Sequence, residues 1–162
     1  MTTRTQQSHS TEQGAVLVEF AIAALVFFIA VFGVLEISRL LWTYNALADG
    51  VRRGARYAAL QSPDTGGSTT NITKVKNVVM YGTDTPAGGA QPIVYGLITS
   101  NVSVAYSGDF GVHLGTVTVG VSSFSFQFLA MPSVFGAALT LPAYQVTVTG
   151  ESAGCVPGVT CT

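Results

Sequence analysis

Hydrophobic and polar positions divide the chain into three stretches with different periods. Residues 1–13 are polar, and no apolar run among them could form the centre of a secretory signal. From Ala15 to Leu35 every residue except Glu19 is apolar or glycine. As a helix that stretch spans about 31 Å at ~1.5 Å per residue, close to a ~30 Å hydrocarbon core, so a transmembrane helix is expected over 15–35. Glu36, Arg39 and Trp42 follow it, with no small-residue cleavage pattern, which favours an anchor over a cleavable signal.

Helical spacing continues past the apolar run. Ile37, Leu40, Tyr44, Leu47, Val51, Gly54 and Ala58 step by threes and fours along one stripe. Arg39, Thr43, Ala46, Asp49, Arg53 and Arg56 run along another side. Glu36 can reach Arg39, and Asp49 can reach Arg52 and Arg53, each pair contributing about 0.2–0.5 kcal/mol. The first proline is Pro63, so one helix is expected over residues 15–60. Its first half is apolar all round. Its second half is amphipathic and must cover something.

Gln61–Thr70 contains Ser-Pro-Asp-Thr-Gly-Gly and breaks the helix. Beyond this loop the period becomes two. Val102, Val104 and Tyr106 alternate with small or polar residues, as do Val117, Val119 and Val121, and Tyr144, Val146 and Val148. Phe124, Phe126 and Phe128 alternate one residue out of phase, which implies a bulge or a turn near Ser122–Ser123. These are the marks of half-buried antiparallel strands. Val75–Tyr81 fits a strand or a short helix, and Ala130–Pro142 reads as a connection dipping an apolar turn into the core. The expected fold class is α+β: a long N-terminal helix packed on a C-terminal antiparallel β-sheet. Expected boundaries are a leader at 1–14, the helix at 15–60, a linker at 61–73 and a β-rich exported domain at 74–162.

Composition agrees with an anchored, polar-clad domain. Only 9% of residues are charged, against roughly 25% in an average soluble domain. The net charge of −1 leaves no electrostatic footprint for nucleic acid. Cys155 and Cys161 lie in the tail, with neither redox nor zinc spacing; a disulfide in an oxidising compartment and a pair of free thiols both fit.

The junction Gln13-Gly14-Ala15-Val16-Leu17-Val18-Glu19-Phe20 puts one acid at the fifth residue of the apolar run. It resembles the processing site of type IV prepilins, where a membrane peptidase cuts after the glycine. The resemblance implies cleavage between Gly14 and Ala15. A new amine on Ala15 would then stand about 6 Å along the axis from Glu19. A staggered neighbour could present that amine to the carboxylate; at 4 Å and an effective dielectric near 20 the attraction is about 4 kcal/mol before desolvation, enough to bias register. The simpler alternative is that Glu19 marks the membrane boundary.

Further along, Glu36-Ile37-Ser38-Arg39 at the membrane exit and Gly54-Ala55-Arg56-Tyr57-Ala58 complete a pattern begun by Val18-Glu19-Phe20. Together they resemble the TadE-like minor pseudopilins of tight-adherence (Tad/Flp) type IV pili. Many relatives carry a proline soon after the first motif; Ala23–Phe28 has none, so the helix is expected to run uninterrupted. The resemblance implies a structural subunit of a pilus or its assembly base, supporting biogenesis and adhesion. Its implied partners are other pilins and pseudopilins, prepilin peptidase, the inner membrane and the assembly machinery. Arg39, Arg52, Arg53 and Arg56 follow the anchor while the leader offers Arg4, so the positive-inside rule alone favours the opposite orientation. The tail cysteines, the Ser/Thr-rich strands and the family's mode of insertion favour a leader inside and a domain outside.

The chain shows no Gly-x-Ser-x-Gly, phosphate loop or dinucleotide fingerprint, and His9 and His113 stand apart from any ligand set. No enzymatic activity, metal or cofactor is expected. Gly50 and Gly54 read as an aid to helix–sheet packing rather than to dimerisation. The alternative function is a signal-anchored surface adhesin or ligand-binding module that never enters a filament.

Overall fold

The computed structural model describes residues 8–61, 69–108, 115–129 and 136–149, with side chains from Gly14 onward. A single helix, α1, runs Ser8–Ala59, 52 residues, or about 78 Å at the α-helical rise. It begins inside the expected leader rather than at Ala15. Polar residues continue a helix once an adjacent apolar segment has nucleated it, because each added residue gains one backbone bond. No proline interrupts it. Leu60 and Gln61 donate to the Tyr57 and Ala58 carbonyls at 3.2 and 3.1 Å, tightening the end into a 3₁₀ turn.

The stripe on the second half of α1 is the helix's contribution to the core. Leu47, Val51, Gly54 and Ala58 are buried, and Leu40 and Tyr44 half-buried. Ile37, at the N-terminal end of the stripe, is exposed, whereas Thr43 from the polar side is buried.

A second helix, α2, spans Thr70–Tyr81. It begins within the expected linker and decides the open choice over Val75–Tyr81 for helix. Gly82, at φ 77°, donates its N–H to the Val78 carbonyl at 3.0 Å, a left-handed C-terminal cap that suits glycine. Val75, Val78, Val79 and Met80 are buried. Gly50 and Gly54 of α1 lie against Val79, with Gly54 also near Val119 of the sheet. The glycine pair therefore serves chiefly the contact between α1 and α2, where sequence spacing suggested helix against sheet.

Strands β1 (Val102–Ser107), β2 (Thr116–Val121) and β5 (Tyr144–Thr149) form an antiparallel sheet with β2 in the centre. Register places Val102, Val121 and Tyr144 in one cross-strand row, Val104, Val119 and Val146 in the next, and Tyr106, Val117 and Val148 in the third. That apolar face packs on α1. The opposite face is Ser, Thr and Gln with Ala105 and Gly120 among them, and the Thr118 and Thr147 hydroxyls are 2.8 Å apart. The result is the expected α+β arrangement of long helix and antiparallel sheet.

The phenylalanine strand leaves this sheet. β3 (Ser125–Gln127) pairs instead with β4 (Ala138–Thr140) as a separate ribbon. The phase slip is a turn: Ser123 has φ 55°. Asn101 holds it, donating its side-chain amide to the Ser122 and Ser123 carbonyls at 3.1 Å each and accepting the Ser122 N–H at 2.9 Å on its own carbonyl. Within the expected connection over Ala130–Pro142, residues 138–140 are strand and Leu141 is buried, its N–H bonded to the Phe124 carbonyl at 2.8 Å; residues 130–135 lie outside the described residues.

Candidate functional site

The two halves of α1 have opposite surroundings. Between Gly14 and Leu35, Val16, Leu17, Val18, Phe20, Leu25 and Val34 are all more than half exposed. Phe28 stacks on Phe32 and meets Phe27 edge to face along the surface of the helix. A stretch this apolar (the most apolar window is wholly unburied) cannot face water stably: burial of such side chains is worth about 1.5–3 kcal/mol each. One N-terminal apolar helix of this length fits a single-pass membrane anchor. Gly14, Ala15 and Glu19 all lie on its exposed surface. Among the described residues Glu19 has no ion-pair partner.

Glu36, the first residue beyond the apolar run, is buried to 2% exposure. A carboxylate survives that burial only when its oxygens are satisfied. Arg39 Nη1 donates to Oε2 at 2.6 Å, and the Leu129 backbone N–H donates to Oε1 at 2.9 Å. The Arg39 guanidinium in turn lies 5.0 Å above the Phe126 ring. The helix neighbours Glu36 and Arg39 thus form a clasp that fastens the β3–β4 ribbon to the rod.

Higher on the helix the Gly54-Ala55-Arg56 motif divides by face. Gly54 and Ala55 are buried, and Arg56 is exposed. Asp49 pairs with Arg53, while Arg52 turns to the sheet, where Nε donates to the Tyr144 hydroxyl at 3.1 Å and the guanidinium lies 5.6 Å from that ring. Tyr57 donates to Asp84 Oδ2 at 3.2 Å, Thr85 donates to Oδ1 at 3.1 Å, and the Asn77 amide donates to the Asp84 carbonyl at 2.9 Å. Burial and the bond to Asp84 hold the Tyr57 phenol above its ordinary range. The Thr85 hydroxyl, then that of Tyr57, holds the Asp84 carboxyl below the usual carboxylate range.

The structure brings Glu36 and Arg39 together as helical spacing implied, and spreads Gly14, Ala15, Glu19 and Phe20 along the bare half of the rod. Cys155 and Cys161 lie outside the described residues. Residue spacing does not announce the Leu129–Glu36 bond, the Arg39–Phe126 contact or the Tyr57–Asp84 bond; a lone acid directly after an apolar run is the available signal for the first two. Among the described residues, no three His, Cys, Asp or Glu side chains are grouped to hold a metal. The cavity lined by Tyr44, Leu47, Phe124, Leu141 and Tyr144 measures about 10 Å³, on the scale of one water rather than a metabolite.

An unburied apolar half-helix continuous with an amphipathic half that carries a small β-rich head defines the architecture, an α+β fold on a long N-terminal helix. Within it, residues 14–56 match the family described as TadE-like protein, the same family that the Glu19, Glu36–Arg39 and Gly54–Arg56 motifs resemble. The matched segment, about a quarter of the chain, contains the apolar half of α1 and most of its packed half. No match is found among curated proteins or among solved structures.

Proposed function

We propose that the chain is a minor, pilin-like structural subunit of a Tad-type pilus or its assembly base, acting by interaction rather than catalysis. In this reading prepilin peptidase removes residues 1–14, and Ala15 becomes the N-terminus in the inner membrane. The β-rich head stands outside the cytoplasm, and the bare half of α1 moves from lipid into a bundle of pilins and pseudopilins. Glu19 sets the axial register by meeting the terminal amine of a neighbouring subunit.

The observation that carries the proposal is the contrast within one continuous helix. Residues 14–35 present apolar side chains on every side with a single acid among them, while one face of residues 40–58 is occupied by the protein's own core. A helix needed only as a tether has no use for an acid four residues into the hydrocarbon, where it is costly.

Intact-mass measurement of the envelope-bound protein tests the first step. The expected mass is that of a chain starting at Ala15, and it should rise by two hydrogen masses on reduction if Cys155 and Cys161 are joined. A chain retaining Met1 or Arg4 contradicts the processing step.

A further inference from the structure

The β3–β4 ribbon descends beside α1 toward the anchor. Phe124, just before β3, shares a cavity wall with Tyr44 and Leu47. Phe126 lies under Arg39, and the Leu129 amide reaches Glu36. Successive residues of the ribbon thus meet successively earlier residues of the helix, and Leu129 arrives where the apolar run ends. β4 then climbs away, Leu139 opposite Phe126.

At that level the surface is apolar on both elements. Leu129 is 74% exposed and Leu139 43%, and Ile37, Leu41 and Trp42 of the helix are more than half exposed beside the exit. With residues 15–35 in the ~30 Å hydrocarbon, the headgroup layer extends about 5–7 Å further. Glu36 and Ile37 fall at its base. Trp42 lies about 9 Å beyond Glu36 along the axis, and a helical side chain leans back toward the N-terminus, bringing the indole toward the headgroups it commonly occupies.

We infer that the β3–β4 ribbon is a second membrane contact: Leu129 and Leu139, with Ile37, Leu41 and Trp42, form a collar that seats the head in the headgroup–acyl boundary of the bilayer that α1 spans. The occupant is lipid because the collar is continuous with the lipid-facing helix and lies at the depth where that helix leaves the hydrocarbon. Burying Glu36 against two donors is what this depth requires, since an open carboxylate there would be desolvated without compensation. Arg39, drawn onto Glu36 and Phe126, leaves the collar free of an unpaired charge. The head is therefore held at two points, and its tilt relative to the membrane is set before any partner binds. The inference rests on the membrane-anchor reading of α1 and does not depend on pilus assembly.

Trp42 is the sole tryptophan, so fluorescence quenching in phosphatidylcholine vesicles brominated at shallow or deep acyl positions reads depth directly. The full chain is used, with Trp42 itself as one probe and, in a Trp42→Phe background, Leu129→Trp, Phe27→Trp and Tyr95→Trp as others. All three positions are exposed, Tyr95 to 93% on the loop tied to Met80 by the Ile93 N–H. An apolar face sits about 5–10 Å into the boundary, so Leu129→Trp and Trp42 should each lose about half their emission to shallow bromines. Phe27→Trp should be quenched by deep bromines, and Tyr95→Trp by neither. Quenching at Phe27→Trp without any at Leu129→Trp overturns the collar and leaves the anchor standing. A Leu129→Trp probe silent to lipid yet shielded from aqueous acrylamide overturns it in favour of a protein partner. Loss of quenching at both Phe27→Trp and Leu129→Trp removes the anchor, and the collar with it.

Discussion

Gly50 lies directly on the backbone of Val79: a Cβ at Gly50 would stand 2.8 Å from the Val79 carbonyl oxygen. The long rod and α2 touch there without intervening side chains, and a backbone oxygen inside a helix has little room to yield. Alanine in a helix interior is worth about 1 kcal/mol over glycine, but overpacking costs about 1–3 kcal/mol. Gly50→Ala should therefore be neutral to destabilising, and Gly50→Leu destabilising by at least 2 kcal/mol on that same scale. Denaturant unfolding of the head in mild detergent measures both. Stabilisation by Gly50→Leu would contradict the close crossing.

Glu36 has two roles that substitutions separate. Glu36→Ala leaves the Leu129 N–H unsatisfied and frees Arg39, at a cost of about 1.5–3 kcal/mol for a hydrogen bond to a charged group. Because Arg39 is 44% exposed, solvent screens its share, and most of the loss falls on the Leu129 bond. Glu36→Gln keeps an acceptor and should cost less than half as much. Hydrogen exchange should show the β3–β4 ribbon opening first in Glu36→Ala, with the β1–β2–β5 sheet still protected.

Stability should fall on both sides of neutral pH through the Tyr57–Asp84 bond. The Asp84 carboxyl titrates lower folded than unfolded, so its contribution is present above the ordinary carboxylate value of about 3.9 and is lost as pH falls through the lower, folded value. The Tyr57 phenol titrates higher when folded, so its contribution is present below the ordinary value of about 10 and is lost as pH rises through the higher, folded value. Tyr57→Phe should remove the alkaline loss and only part of the acid loss, because the Thr85 hydroxyl still supports the Asp84 carboxylate. Thermal melts of both proteins across pH check this. An unchanged alkaline limb in Tyr57→Phe would assign the loss elsewhere.

Where the sequence was legible, one local period carried the information. Leu40, Tyr44, Leu47, Val51, Gly54 and Ala58 keep helical spacing over five turns, and the valines of β1, β2 and β5 alternate cleanly, so both faces of the core could be found without knowing their partners. Val75–Tyr81 was ambiguous because its buried residues are few and partly consecutive, and a short apolar run satisfies either period. The phase slip at Ser122–Ser123 was visible, but that it separates two sheets depends on Asn101, whose amide acts across 21 and 22 residues. Helical spacing ties Glu36 to its neighbour Arg39. The bond from Leu129 to Glu36 spans 93 residues, and nothing local in either segment announces it.

Arg52 should stiffen the union of rod and sheet modestly. Its guanidinium meets Tyr144 by both hydrogen bond and ring face, an exposed arrangement worth about 0.5–1 kcal/mol. Arg52→Ala should lower stability by about that amount, and Arg52→Lys should recover little, since an ammonium lacks the planar fork. A double-mutant cycle with Tyr144→Phe measures the coupling; a value near zero would mean the contact is incidental.

If the bare half of the rod inserts into an assembly with Glu19 as its register mark, the sheared-filament fraction of cells carrying Glu19→Ala should lack this chain. The variant should reach the membrane in normal amount, because losing a charge from an apolar helix only favours insertion, yet be absent from the filament fraction and from complexes with the other pilins. A Glu19→Ala protein recovered there at the level of the unaltered chain would show that the acid does no more than mark the membrane's edge.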